Sequence, residues 1–277
     1  MQAHPHSPKR AILLFTRSPE NEARSKPLAR LSFAERVGLY EEFTRHVLAQ
    51  ASALDYPILI ATDEPDYNFA RYSPKIAAVF HQRGSSFGDR LAHALQAAFA
   101  QGYDEVVCVG NDCLELSTND LRAAFAQLEQ NNLTLGAAED GGVYLIGMRR
   151  ESLPAVLRAV QECHWQTALV LSDLSASAHR HALATGVLDK RGDVDTAEEL
   201  VRARAGVYSR SRSCENIPGC FCWRRPRMRC FPFTSPAITI LCVSKKPRLL
   251  FCANLFCHHF KKIPQCDKAS PARLCAA

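Results

Sequence analysis

The chain has 277 residues and a formal net charge of +6. Apolar residues make up 47% and charged residues 22%, which is ordinary globular composition and excludes a collagen-like, wholly disordered or coiled-coil chain. The longest apolar runs, such as Ala237–Val243, fall far short of the roughly 20 residues a membrane span needs, and no apolar stretch of signal-peptide length follows the N-terminus, so no membrane span and a cytoplasmic protein are expected.

Residues 1–10 read as an extension. Ala11–Phe15 (AILLF) is a continuous apolar run of the kind found in buried parallel strands. A polar, irregular loop is expected over Thr16–Leu31. Phe33–Ser52 places Phe33, Val37, Tyr40, Phe43, Val47 and Leu48 at helical spacing. Pro57–Ala61 and Ile76–Phe80 read as two more buried strands. Phe87–Ala100 reads as a helix opened by Gly84-Ser85-Ser86, and Glu105–Val109 as a fourth strand. Thr118 or Asn119 caps a helix running to about Leu128. Leu133–Ala137 and Val143–Met148 are further strands. Ser152 opens a short helix, and Gln166–Leu174 is expected to be another. Asp195-Thr196 would cap a last helix over Ala197–Ala203. This alternation argues for an α/β sheet covered by helices on both faces.

In such a sheet, ligands bind beyond the carboxyl ends of the strands. Gly110-Asn111-Asp112-Cys113 follows the fourth strand, so Asp112 projects from the sheet edge. A carboxylate there can hold Mg²⁺ or Mn²⁺ bridging nucleotide phosphates, although an aspartate in a strand–helix turn is also common. Glu139-Asp140-Gly141-Gly142 either presents an acid, with Asp140 as base or orienter of an acceptor hydroxyl, or is simply a hairpin turn. Asp193-Val194-Asp195 completes a metal site in one reading and caps a helix in the other, which its spacing favours. Arg17, Arg24 and Lys26 lie after the first strand and Arg90 opens a helix, places suited to phosphates. Trp165 either joins the core or stacks on a ring. Cys108, Cys113 and Cys163 have no metal spacing and read as small buried apolar groups. Neither a Walker A nor a G-x-G-x-x-G sequence occurs, which disfavours those two nucleotide-binding modes.

Residues 207–277 are of a different kind. They hold 13 Lys+Arg against 2 Asp+Glu, so they carry +11 and leave −5 for the first 206 residues. They also hold nine of the 12 cysteines. The segment lacks periodicity and is expected to be a basic, poorly structured or non-native tail. A basic arm that binds phosphates without specificity and a zinc site are the alternatives, the latter disfavoured because Cys220-x-Cys222 is too tight and Cys252-x4-Cys257 has no matching pair.

Taken together, the motifs of residues 11–206 resemble the DUF2064 family, also called selenodomain-associated transferase 1. The resemblance rests on Phe15-Thr16-Arg17-Ser18-Pro19, Phe87-Gly88-Asp89-Arg90, Gly110-Asn111-Asp112-Cys113, Ala137 to Gly147 (AAEDGGVYLIG), Trp165-Gln166-Thr167 and Asp193-Val194-Asp195-Thr196. It implies a three-layer GT-A-like fold, similar to nucleotide-diphospho-sugar transferases and small nucleotidyltransferases. It implies a metal-dependent transferase with a nucleotide sugar or nucleoside triphosphate as donor and a small-molecule acceptor, without specific nucleic-acid binding. By the same resemblance Asp112 and Asp195 would hold Mg²⁺ or Mn²⁺, and Arg17, Lys26 and Arg90 would face the phosphates. Asp140 would act on the acceptor, with Glu139, Trp165 and Thr167 as acceptor contacts. The chain departs from the family in its first loop, where many members carry P-G-x-x-K-T-R-L and this one has Asn21-Glu22-Ala23-Arg24-Ser25-Lys26-Pro27-Leu28. Leu114 and Val143 also stand where a proline and a tyrosine are usual. A nucleotide-binding module that has lost catalysis is therefore the alternative reading.

Overall fold

A computed structural model describes residues 7–201, apart from Pro27, Ala29, Arg30, Asp195, Ala197 and Glu198. The continuous apolar runs become the middle of a seven-stranded sheet. Its strands are β1 (Arg10–Phe15), β2 (Ile58–Thr62), β3 (Ile76–His81), β4 (Glu105–Val109), β5 (Leu133–Ala138), β6 (Val143–Arg149) and β7 (Thr185–Arg191), in the order β3-β2-β1-β4-β6-β5-β7. Only β6 runs antiparallel to its neighbours; the other pairings are parallel.

Strand geometry sends alternate side chains to opposite faces, and both faces are covered. Ile12, Leu14, Ile60 and Val107 meet α2 (Phe33–Ser52) and α4 (Thr118–Gln127) through Val47, Leu48, Leu121 and Phe125. Leu13, Leu59, Val106 and Cys108 meet α3 (Phe87–Ala100), α5 (Leu153–Glu162) and α6 (Val170–Arg180). The result is the three-layer α/β architecture expected from the alternation. Ser32, Ser86 and Ser117 each begin a helix with a reciprocal capping box, to Glu35, Asp89 and Asp120, which satisfies donors that a helix start otherwise leaves bare.

Three elements differ from the sequence expectations. The loop over Thr16–Leu31 contains a helix, α1 (Pro19–Ser25), with Ser18 as N-cap and Pro19 in its first turn. Ala23 of α1 packs with Leu39, Tyr40 and Phe43 of α2 in a third, smaller cluster that also takes Val194. The helix expected over Gln166–Leu174 begins at Val170 instead, because residues 163–169 form a turn in which Gln166 has φ 64°. β7 was not expected; as an edge strand it exposes Val187 and lacks a continuous apolar run. Farther along, Glu199 N donates to Thr196 Oγ1 and Thr196 N to the Glu199 carboxylate, at 3.2 and 2.8 Å, so Thr196 caps the helical residues 199–201. Asp195 as a cap, and the whole tail over 207–277, lie outside the described residues. No helix among the described residues is long and apolar enough to cross a membrane.

The register fixes which loops share an edge. Leu14 lies beside Val109 in parallel pairing, and Val109 opposite Leu145 in antiparallel pairing. The ends of β1, β2, β4, β5 and β7 and the start of β6 therefore all open on one edge.

Candidate functional site

At that edge two cations and three carboxylates gather. β1 delivers Arg17, α1 delivers Glu22 and ends just before Lys26, β2 delivers Asp63 and β4 delivers Asp112. Lys26 Nζ lies 2.9 Å from Asp112 Oδ2 and 3.7 Å from Glu22 Oε1. Arg17 Nη1 lies 3.5 Å from Glu22 Oε2 and donates to Ser25 Oγ at 2.6 Å. Asp63 Oδ1 accepts from Ser18 N at 2.9 Å, which pins the start of α1 to the end of β2. Gln82, after β3, donates through Nε2 to the carbonyls of Thr16 and Ala61 and ties the same strands from the other side.

Burial alone would raise the Asp112 pKa, but the ammonium of Lys26 outweighs it and holds the carboxyl below the usual aspartate range. Glu22 behaves oppositely. Burial lifts its pKa above the ordinary value against the pull of Lys26 and Arg17, and the negative charges of Asp112 and Asp63 add to the lift. The Lys26 and Asp112 side chains retain 29% and 32% of their exposure, so water screens the pair. A pair so placed contributes roughly 0–1 kcal/mol, little enough for an incoming phosphate to displace.

The Asp-Gly-Gly turn forms a second group at the same edge. Asp140 Oδ1 accepts from Gly142 N at 2.8 Å, so the aspartate shapes its own turn and stays exposed. Gly141 has φ +92°, and a Cβ there would collide with the Ala168 carbonyl. Leu171 N donates to Gly141 O at 3.0 Å. The turn over residues 163–169 is thus laid directly against the Asp140 turn. Within it, Thr167 Oγ1 donates to His164 O at 2.6 Å, and Asp173 Oδ2 accepts from His164 N at 2.9 Å. Trp165 donates through Nε1 to Val160 O at 2.6 Å and packs on Phe87, ring centroids 4.7 Å apart. Gly141→Ala is expected to cost about 2 kcal/mol or more, from the forced positive φ and the clash. The check is a melting curve; a loss under about 0.5 kcal/mol would mean that the two turns part without cost.

β7 closes the third side. Glu139 N donates to Arg191 O at 3.0 Å, Gly192 N to Glu115 Oε2 at 3.3 Å, and Val194 N to Asp112 O at 3.1 Å. The structure thus brings Arg17, Lys26 and Asp112 together, and Glu139 and Asp140 together with the turn of Trp165 and Thr167. Arg90 stands in the first turn of α3, and no bond among the described residues ties it to the Lys26–Asp112 group. Asp195 lies outside the described residues, one position beyond the docked Val194. Among the described residues no three His, Cys, Asp or Glu side chains form a metal cluster. Cys108, Cys113 and Cys163 are buried free thiols, pushed up to about 12 by burial, which fits packing rather than reactivity.

Glu22, Asp63, Gln82 and Glu115 were not singled out from the sequence. Asp63 follows β2 as Asp112 follows β4, so the same strand-end rule would have found it. Glu22 needed α1 first.

A family model described as "Uncharacterized protein conserved in bacteria (DUF2064)" matches residues 44–165. That span includes Arg90, Asp112, Glu139, Asp140 and Trp165, and leaves out Arg17, Lys26, Thr167 and Asp195. No curated protein matches the chain. Among solved structures, one from Desulfovibrio desulfuricans G20, described provisionally as a nucleotide-diphospho-sugar transferase, is 25% identical, with TM-score 0.61, covering 76% of this chain and 90% of its own. The 4-diphosphocytidyl-2C-methyl-D-erythritol synthase of Anaerococcus prevotii DSM 20548 shares the fold at 11% identity and TM-score 0.51, covering 72% of this chain and 97% of its own. The resemblance to DUF2064 read from the motifs is borne out over residues 44–165.

Proposed function

We propose that the chain is a transferase that takes an activated nucleotide, a nucleotide sugar or a nucleoside triphosphate, and passes part of it to a small acceptor with Mg²⁺ or Mn²⁺ bound. The observation that carries this reading is the Lys26–Asp112 pair at the carboxyl edge of β1 and β4, with Arg17 beside it. Cations that grip phosphate and a carboxylate that can hold a metal are thereby in one place, where α/β sheets bind ligands. The 25% identical structural neighbour, itself provisionally described as a nucleotide-diphospho-sugar transferase, supports the same class.

The donor set suits Mg²⁺ or Mn²⁺. These cations take oxygen ligands and are commonly held by one or two carboxylates, with phosphates and water completing the shell. Asp112, partly exposed and anionic, is the described residue for that role, and Asp195 is the proposed second. The metal would neutralise phosphate charge. Arg17, Lys26 and Arg90 orient the phosphates, while Asp140 faces the acceptor with Glu139 beside it. Trp165 and Thr167 act mainly by holding the turn on which the Asp140 loop rests.

The test is thermal unfolding of the full chain against nucleoside triphosphates and nucleotide sugars, each with Mg²⁺, Mn²⁺ or EDTA. A ligand at a hundredfold excess over its Kd adds about 2.7 kcal/mol, a rise of about 5–10 °C for a domain of this size. One nucleotide should give that rise with metal only, and Asp112→Asn should abolish it. A metal-dependent rise that survives Asp112→Asn would show that the metal sits elsewhere. The second reading, a binding module without turnover, is favoured by the altered first loop, whose Glu22 engages both Arg17 and Lys26. It predicts the same rise and no product with any acceptor.

A further inference from the structure

Asp112 falls on the family motif quoted above, whereas Glu22 and Lys26 lie in the first loop, where the chain departs from it. The Glu22 side chain is 7% exposed, and its carboxylate shares the two cations proposed to grip phosphate, at 3.5 Å from Arg17 and 3.7 Å from Lys26. The described charges at this point are Arg17 and Lys26 against Glu22, Asp63 and Asp112, a count of 2 − 3 = −1. Glu22 feels the negative charges of both Asp112 and Asp63. A polyphosphate without a metal would bring several more negative charges into a place already negative. A polyphosphate loaded with a divalent cation brings far fewer.

We propose that Glu22 is a specificity-determining residue that makes this edge select the metal-loaded polyphosphate over the metal-free one. The inference rests on the phosphate reading given above and adds which form of the donor is accepted. Glu22 need not touch the ligand. It acts by half-neutralising Arg17 and Lys26 before the ligand arrives, so the remaining attraction has to come from the ligand's own cation. The buried carboxylate limits the net charge that the two cations present to the edge.

The expected effect has a sign and a size. Removing one negative charge roughly 6 Å from an anion, at the effective dielectric of a protein surface, strengthens binding by about tenfold after screening. For a metal-loaded ligand of lower charge the gain is smaller, about threefold or less. The probe is inorganic tripolyphosphate, titrated calorimetrically into the full chain with EDTA and again with excess Mg²⁺. Wild-type protein should bind the Mg²⁺ form more tightly. Glu22→Gln should gain about tenfold for the metal-free form and much less for the loaded form, so that the preference for metal shrinks. Asp63→Asn removes a charge from the same group while keeping an oxygen for Ser18 N, and should move the preference the same way. Melting curves of both variants confirm folding.

If Glu22→Gln weakens both forms, Glu22 is a strut for Arg17 and Lys26 and the proposal is overturned. An equal gain for both forms overturns it as well, since charge would then act without selection. Wild-type binding with no change in either variant removes the inference and leaves the phosphate reading standing. Binding by Glu22→Gln alone overturns it too, since the wild-type edge would then accept neither form. If wild type and both variants bind neither form, the phosphate reading fails and the inference falls with it.

Discussion

Lys26→Ala is expected to weaken binding of magnesium tripolyphosphate by about tenfold to a hundredfold, because a hydrogen bond to a charged group is worth roughly 1.5–3 kcal/mol. Titration calorimetry on the full chain reads it directly. The same substitution should change the melting temperature little at neutral pH, since the Lys26–Asp112 pair is about one-third exposed and pairs of that kind contribute roughly 0–1 kcal/mol. Affinity and stability thus separate, which a merely structural lysine would not allow. A pH series adds a second signature. Asp112 is held below the ordinary aspartate range by Lys26 against burial, so its contribution to stability is present above that range and is lost as pH falls through the lowered value. Without Lys26, burial alone acts on Asp112 and pushes it upward. The acid side of the melting curve should then flatten or reverse. Unchanged affinity together with an unchanged acid side would reduce Lys26 to a surface group and would remove the chief support for the phosphate site.

Much of this edge is legible from the sequence because strand ends are legible. AILLF and EVVCV are short, mostly apolar runs that fit buried strands, and once they are parallel neighbours, Arg17 and Asp112 open on the same side. The Asp-Gly-Gly turn is equally plain, since Gly141 at φ +92° is a conformation that L side chains rarely adopt. What the sequence does not display is the company these residues keep. α1 is seven residues long, too short for a helical period to stand out, although its Ser18-Pro19 start is a recognisable cap. Glu22 looks like one more surface acid until α1 turns it inward between Arg17 and Lys26. Trp165 illustrates the opposite limit. As one of only two tryptophans it suggests a stacking platform, yet its indole N–H bonds to Val160 O and its ring lies on Phe87. Its contribution to the site is to brace the turn against which Gly141 sits. β7 escapes a reading by periodicity because its register with β5 shifts between Gly136 and Ala138, and because its face toward solvent keeps Val187. Besides its ladder with β5, a charge pair that no local pattern shows ties its end to α4.

That pair sets the largest expected stability effect. Asp120 and Arg191 retain 8% and 17% of their side-chain exposure, with Arg191 Nη2 at 2.7 Å from Asp120 Oδ1. Asp120 Oδ2 also accepts from Ser117 N at 2.9 Å and Ser117 Oγ at 2.7 Å, which closes the capping box of α4. Burial would lift the Asp120 pKa, but the bonds from Arg191 and Ser117 outweigh it. Asp120→Ala strands a guanidinium in a low-dielectric site and uncaps a helix at once. Removing one partner of a buried pair costs about 3 kcal/mol or more, which corresponds to a fall of about 6–12 °C for a domain of this size. Arg191→Met leaves the Asp120 carboxylate without its cation, but that carboxylate keeps its two bonds from Ser117, so this loss should be smaller. In a double-mutant cycle the two losses should therefore fall well short of additive. Additive losses would mean that the pair is solvated and that the backbone ladder alone holds the edge strand. The consequence for the site follows from the chain itself. Arg191 is the last residue of β7, and its carbonyl accepts from Glu139 N, while two and three residues on, Asp193 and Val194 bring the chain back to Asp112, where Val194 N donates to the Asp112 carbonyl. Loosening β7 therefore loosens two walls of the candidate site. Asp120→Ala should weaken metal-dependent nucleotide binding even though Asp120 touches neither the Lys26–Asp112 pair nor the Asp140 turn, and raising the protein's stability by other means should restore it in part.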